Sequence, residues 1–388
     1  MTSNSSTHPG NRGLLLLDID GPGSHPGADR APAANVAAAL TPGYLRQAVQ
    51  AAESAGFHAV TFPDPGLPED REPEKIGRLN ALHRAAFAGP LTRSLALIPE
   101  VDTVYTEPFH IATQLASLDY VSAGRAGWLV TASPHAADAA AVGREPVSGD
   151  RLAREAADAI EVGRRLWDSW EDDAVIRDVP TGRYLDVDKL HYADFEGENY
   201  SVKGPSIIPR PPQGQLPVLV PAGLLEAEAL ATGAADALLV SAPTPELLAS
   251  EVSATRAGLA ASLPSGGAGP ALIVELDVIL DSRGQTAAER LAALEEHATW
   301  VSPHARFAGT AAELTGLLAE LLTVADGIRL HPAVLDTDVE ELSRVVLPGL
   351  RRRDLLAPTT PDATFRDRLG LSRPASRYAA AAIQGATS

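Results

Sequence analysis

The chain is predicted to fold as a (β/α)8 TIM-type barrel, an α/β architecture carrying one irregular insertion, and three observations support this. Short continuous apolar runs alternate with helical patterns along most of the chain, as strands buried on both faces require. Residues 95–133 read as a complete βαβ crossover: an apolar run over 95–101, an acidic turn, Pro108 where a first helical turn tolerates it, then Gly124 and Gly127 before a second apolar run. Finally, eight strand candidates are separated by helices or crossovers, and parallel right-handed connections of that number favour a closed barrel over the open doubly wound sheet that is the runner-up.

The first strand is the apolar run at 13–19. The Gly- and Pro-rich loop at 20–35, with His25 and Arg30, reads as long, polar and non-helical. Helical spacing over 43–56 (Leu45, Val49, Ala52, Ala55) stops at Gly56 and passes directly into a second strand over 57–62, ending at Pro63 and Asp64. A helix over 75–87 follows, and the crossover at 95–133 then supplies strands three and four. Residues 149–170 form an amphipathic helix with Leu152, Ala156, Ile160, Gly163, Leu166 and Trp167 on one stripe. The charged, Pro-rich text over 171–215 reads as an insertion near the barrel mouth, where such segments commonly cover an active site. Strand-like runs return at 217–220, 237–240, 271–280 and 326–330, with helices over 246–263, 286–300, 310–322 and 339–350. Residues 351–388 form a C-terminal extension of a single domain spanning 1–388, and no short repeat is visible.

With 388 residues and 45% apolar content the chain can bury a substantial core. Its 50 acidic and 32 basic residues leave a formal charge of −18, which argues against nucleic acid or an anionic membrane as partner and leaves small molecules or other proteins. The absence of cysteine removes disulfides, thiolate metal sites and thiol nucleophiles. The polar N-terminus lacks the apolar centre of a signal peptide, and no run reaches the ~18 apolar residues of a membrane span, so a cytoplasmic location is expected. No histidine stands at metal-ligand spacing from another: His110 is expected to pack on its helix, His135 to follow strand four and His331 to follow the last strand, with no metal site among them. The four tryptophans, Trp128, Trp167, Trp170 and Trp300, are expected in the core.

The motifs YTEPF at 105–109 and ATQLASLDYVSAGRAGW at 112–128 resemble the bacterial-luciferase-like flavin monooxygenases, specifically the nitrilotriacetate monooxygenase group. Gly21, His25, Gly27, Ala28, Arg30 and Pro32 match that group's loop after the first strand, LWDSW stands at 166–170, and a further segment matches at Gly204, Pro205, Arg210, Pro212, Gln213 and Gly214. PVLVPAG at 217–223, FAGT at 307–310, the ADG at 325–327, VLPGLRRR at 346–353 and FRDRLGL at 365–371 extend the resemblance over nearly the whole chain. It implies a TIM-type barrel with an insertion. It also implies an FMNH2-dependent monooxygenase that receives reduced flavin from a separate reductase, oxidises a small organic substrate and pairs as a dimer.

The resemblance also places site residues. Asp64 matches an acidic residue beside the flavin, although a cap on the following segment is an equally good reading. Glu100 stands where the family has threonine, and Leu129 where it has asparagine. Gly149 and Ala153 replace a histidine and a tyrosine that contact the phosphate, Leu225 replaces a phosphate-binding serine, and Glu228 a glycine. His25 and Tyr105 are the catalytic candidates for a polar pocket at the mouth, with Asp102 and Arg210 nearby; Glu107 reads as a helix N-cap and Arg125 as the partner of an acid.

Leucine and alanine offer a phosphate no side-chain donor, and a carboxylate at 100 or 228 repels an anionic flavin. Two further readings therefore stand beside the monooxygenase. One is a flavin-free family member, serving as a non-catalytic subunit of a heterodimer with a paralogue or as a small-ligand-binding protein. The other is a barrel enzyme whose acid–base chemistry uses Asp64, Glu100 and Asp102.

Overall fold

The computed structural model describes residues 12–31, 36–64, 66, 77–263 and 269–379. The strands of its main sheet are β1 (Leu14–Asp18), β2 (Ala59–Phe62), β3 (Ala96–Asp102), β4 (Trp128–Thr131), β5 (Val218–Pro221), β6 (Ala237–Val240), β7 (Ala271–Leu280), β8 (Ala305–Gly309) and β9 (Gly327–Pro332). All pair in parallel. Eight of them close in the order β1-β2-β3-β4-β5-β6-β7-β9, with β9 returning to β1. This is the expected TIM-type barrel.

The helices form where local chemistry supports them. In α1 (Pro42–Ala55) the Thr41 side chain accepts from the Tyr44 N–H, Pro42 occupies the first turn, and Gly56 ends the helix at φ 88°. In α2 (Ala81–Ala88) Asn80 caps two amides, and in α3 (Pro108–Val121) Glu107 stands at the helix N-terminus as expected and accepts from the His110 N–H. The amphipathic α4 (Asp150–Asp168) buries Ala156, Ile160, Gly163, Leu166 and Trp167 against the barrel. Four further helices are α5 (Pro245–Ser262), α6 (Ala287–Glu295), α7 (Ala311–Leu321) and α8 (Leu335–Glu341).

The wall has one fork. The first half of β7 pairs with β6, register Ala237 to Ala271 through Val240 to Val274, while its second half pairs with β8, register Leu276 to Ala305 through Leu280 to Gly309. Sequence periodicity misses β8, whose mixed residues Arg306 and Phe307 are only half-buried. It also carries α6 too far: the helix ends at Glu295 rather than 300, and the chain beyond crosses the mouth as a loop. Of the helix expected over 75–87, residues 75–76 lie outside the described residues, and α2 begins at Ala81. Within the loop at 20–35 a short 3-10 turn forms over Ala28–Arg30.

Both ends of the insertion lie away from the mouth, while its Glu198 reaches Arg154 near the start of α4. Residues 171–215 leave the C-terminal end of α4 and rejoin at β5, both at the N-terminal end of the barrel. There the Gln213 side chain donates to Asp119 (2.6 Å) and to the Ala126 carbonyl (2.8 Å), and the Trp170 indole donates to the Ser206 carbonyl (2.7 Å). Arg210 is buried in this region, pairing with Asp168 at 2.9 Å and Asp172 at 3.2 Å, rather than lining a pocket. Arg125, expected to meet an acid, is held instead by the carbonyls of Gly89, Thr92 and Leu95 and by the Thr92 hydroxyl. His110 is exposed, not packed.

Inside the barrel, Leu14, Leu16, Ile98, Leu129, Leu219, Leu239 and Ile273 fill the lower layers together with Phe365 from the C-terminal segment. Phe365 closes the bottom of the barrel. A Cβ on Gly127 would lie 2.7 Å from its ring, so the residue just before β4 leaves room for this plug. Among the described residues no helix is long and apolar enough to cross a membrane.

Candidate functional site at the barrel mouth

Above the apolar layers the inward-facing positions become charged. Asp18 on β1, Glu275 and Asp277 on β7, and Arg329 and His331 on β9 continue the alternation that places Leu16 and Ile273 inside. Arg329 is fully engaged: Nη2 donates to Asp18 (2.6 Å), Nη1 to Glu275 (2.8 Å) and Nε to the Thr61 hydroxyl (2.9 Å). Thr61 in turn donates to Asp18. His331 lies within β9 and is buried, rather than following the strand as expected.

These groups form the floor of a cavity of about 710 Å³ at the C-terminal ends of the strands. Its apolar wall includes Leu129, Pro221, Leu239, Val240 and Trp300, so Trp300 serves the cavity as well as the core. Six carboxylates line it (Asp18, Asp20, Glu100, Glu251, Glu275 and Asp277), against one guanidinium and two imidazoles, His304 and His331. A cavity of this size at this end of a parallel barrel is where barrel proteins hold small molecules.

The carboxylates divide by their partners. Burial raises Asp18 and Glu275, but Arg329 and His331 outweigh it for Asp18, and His331, His304 and Arg329 for Glu275, so both stay well below the usual carboxylate range. Burial opposes the charge on His331 too, yet its contacts with Asp18 and Glu275 push it up to about 9. Glu100 lacks a directly bonded cation, and burial pushes it up to about 7 despite Arg329 nearby. Burial likewise takes Asp20 up to about 6, Arg78 at 2.6 Å only partly offsetting it.

A pH dependence follows from Glu100. Its folded-state pKa of about 7 lies above the ordinary 4.5, so the folded state holds a proton that the unfolded state loses first, and stability declines as pH rises from about 4.5 to 7. Glu100→Gln removes this titration. Urea unfolding is expected to show the variant gaining about 3 kcal/mol on the wild type between pH 4.5 and pH 8, and parallel pH curves for the two proteins would contradict the assignment.

The expected site residues meet only in part. Glu100 and Leu129 line the cavity. Asp64 accepts from the Asn80 side chain (2.8 Å) and the Ala81 N–H (3.1 Å), which is the capping arrangement. His25 is buried behind the cavity, its Nδ1 accepting from the Gly27 N–H and its ring 5.1 Å from that of Trp300. Tyr105 turns away, its hydroxyl meeting the Val147 N–H at 3.4 Å and its ring lying under Arg144. Gly149 is exposed at the start of α4, Ala153 is half-buried on it, and Leu225 is packed in the core. Asp102 binds the amides of Val104, Tyr105 and Ser133, so of Asp64, Glu100 and Asp102 only Glu100 reaches the cavity.

Sequence reasoning missed Glu275, His304 and Asp277. The inward charges within the otherwise apolar run ALIVELDVIL were a usable signal, since a strand buried on both faces places a carboxylate inside only against a partner.

Fold and cavity together define a TIM-type barrel protein with a cavity at its C-terminal mouth. The luciferase-like monooxygenase family profile matches residues 22–337, and the chain belongs to that family. It is 27% identical to the N-acetyl-S-(2-succino)cysteine monooxygenase of Bacillus subtilis (strain 168), across 94% of this chain and 98% of that protein. It is 42% identical to the nitrilotriacetate monooxygenase component A of Aminobacter aminovorans over 39% of this chain and 33% of that protein. A crystal structure of a riboflavin lyase with modified FMN and riboflavin shares the fold, with a TM-score of 0.78 at 24% identity over 95% of this chain and 98% of that one. The family expected from the motifs is the family found.

Proposed function

We propose that the chain is an FMNH2-dependent monooxygenase that holds a small organic substrate in the mouth cavity and takes reduced flavin from a separate reductase. The observation that carries this is the 710 Å³ cavity at the C-terminal ends of the strands, walled on one side by Leu129, Leu239 and Trp300, in a chain of a monooxygenase family. When bound, the flavin would supply the oxygen chemistry. The part of this chain is to receive the ring on the apolar wall and to exclude water from it.

The donor set suits a ring and not a phosphate at the family's positions. Leu225 is buried among apolar neighbours, Gly149 and Ala153 have no polar side chain, and Arg144 beside them is committed to Glu155 at 2.7 Å. The phosphate therefore adds little to affinity. Flavin fluorescence titrations are expected to give FMN and riboflavin dissociation constants within roughly threefold of each other, where one charge-assisted phosphate grip separates them by tenfold or more. A strong preference for FMN would show a grip elsewhere in the chain, and no spectral change with either flavin would remove the monooxygenase reading.

The second reading, a flavin-free family member acting as a non-catalytic subunit or ligand-binding protein, is favoured by the six carboxylates around the cavity, which oppose an anionic cofactor. Copurification with a flavin-binding paralogue supports it, and stoichiometric bound flavin excludes it. Under either reading we place the chain in the cytoplasm, as a homodimer or a heterodimer with a paralogue, and take 1–388 as one barrel domain with 351–388 as its extension.

A further inference from the structure

The fork in the barrel wall gathers a group of side chains suited to a cation. Glu275 sits on β7 where its pairing passes from β6 to β8, His304 immediately precedes β8, and His331 lies on β9. The two imidazoles are 4.1 Å apart, with planes inclined by 26°. Nε2 of His304 lies 3.5 Å, and Nε2 of His331 3.4 Å, from the Glu275 carboxylate. The opposite edges of both rings face further carboxylates: Nδ1 of His304 is 3.0 Å from Asp277, and Nδ1 of His331 is 3.6 Å from Asp18.

This arrangement has a chemical reading. A carboxylate beside Nδ1 holds a ring proton at that nitrogen, so a metal that displaces any proton from Nε2 meets a ring already oriented for it, the usual way a ligating histidine is held. Donor atoms sharing one ion at bond lengths of about 2.0–2.2 Å stand roughly 3.0–3.5 Å apart, which is the spacing of both Nε2 atoms from Glu275. His331 is 5% exposed, and its Nε2, aimed at this carboxylate, has no hydrogen bond of proper geometry. Ser241 at 2.7 Å and Arg329 at 2.8 Å hold the two oxygens of Glu275 from outside. The surplus of carboxylates that opposes an anion favours a cation at this point.

We propose that Glu275, His304 and His331 bind a divalent first-row transition-metal ion, with Asp277 and Asp18 orienting the two imidazoles and the open coordination positions facing the cavity. Two imidazoles and one carboxylate select such a metal over magnesium or calcium, which prefer oxygen ligands. The site goes beyond the monooxygenase reading and does not depend on flavin.

The test uses the untagged full chain, stripped with chelator and free of flavin, titrated with cobalt(II) as a spectroscopic probe. One equivalent is expected to bind with visible d–d absorption. His304→Ala, on a loop and therefore compatible with folding, is expected to weaken binding at least tenfold, and Asp277→Asn by roughly tenfold through the ring it orients. His110→Ala, at an exposed position on α3, is expected to leave binding unchanged. Absence of a retained equivalent, or equal affinity in wild type and His304→Ala, overturns the proposal, as does a cavity that takes a simple alkylammonium ion and no cobalt. Because no flavin is present, its failure and that of the monooxygenase reading are seen separately.

Discussion

Replacing Arg329 with leucine is expected to cost about 3–5 kcal/mol of folding stability at pH 7, the range for removing one partner from a buried ionic cluster. The guanidinium is 5% exposed and donates in three directions, to Asp18, Glu275 and Thr61. Without it two buried carboxylates lose their closest cation, and His331 alone faces both. Lysine offers a single ammonium point and is expected to recover less than half of the loss. The deficit has a pH signature. With Arg329 gone, the carboxylates take up protons more readily in the folded state, so the gap from wild type narrows as pH falls. Urea unfolding at pH 5 and pH 7 checks both the size and the trend, and a loss below about 1 kcal/mol at pH 7 would show that the network contributes specificity rather than stability.

Phe365→Ala is expected to be comparably damaging, at about 3–5 kcal/mol, the range for truncating a fully buried aromatic side chain. The ring is 0% exposed and shares the cluster inside the barrel with Ile98, both side chains crowding the Gly127 position. Its own backbone N–H is tied to the Gly124 carbonyl, so the chain cannot follow the shrunken side chain inward. The cavity left at the base would open the lower layer to water. Chemical denaturation should show the loss, and amide exchange should quicken first in β3 and β4. Unchanged protection there would mean that the C-terminal segment is an accessory and not part of the core.

Most of the scaffold is legible in the primary structure because its signals are local. Continuous apolar runs identify the strands, and Glu107, placed by the sequence at a helix N-terminus, does start its helix, through a side chain that reaches the amide three residues ahead. Where that locality fails, so does the reading. The strand β8 alternates poorly because one face meets the half-open wall beside the fork, and the helical pattern beyond Glu295 ends only because the chain must cross the mouth. The ends of the insertion are set by where α4 stops, and Gln213 anchors one of them to Asp119 at the N-terminal end of the barrel, a contact that the polarity of the segment does not announce.

The family, the barrel and the positions lacking phosphate donors were thus determined by the chain's own residues, since each depends on short motifs in order or on single side chains. Tertiary structure alone decided the site. Glu275, His304 and His331 converge because barrel closure brings β7 and β9 together and the fork admits the residue before β8 between them. Residues so far apart in sequence leave no spacing to read, and the energy that holds them together arises only after closure has removed water from their charges.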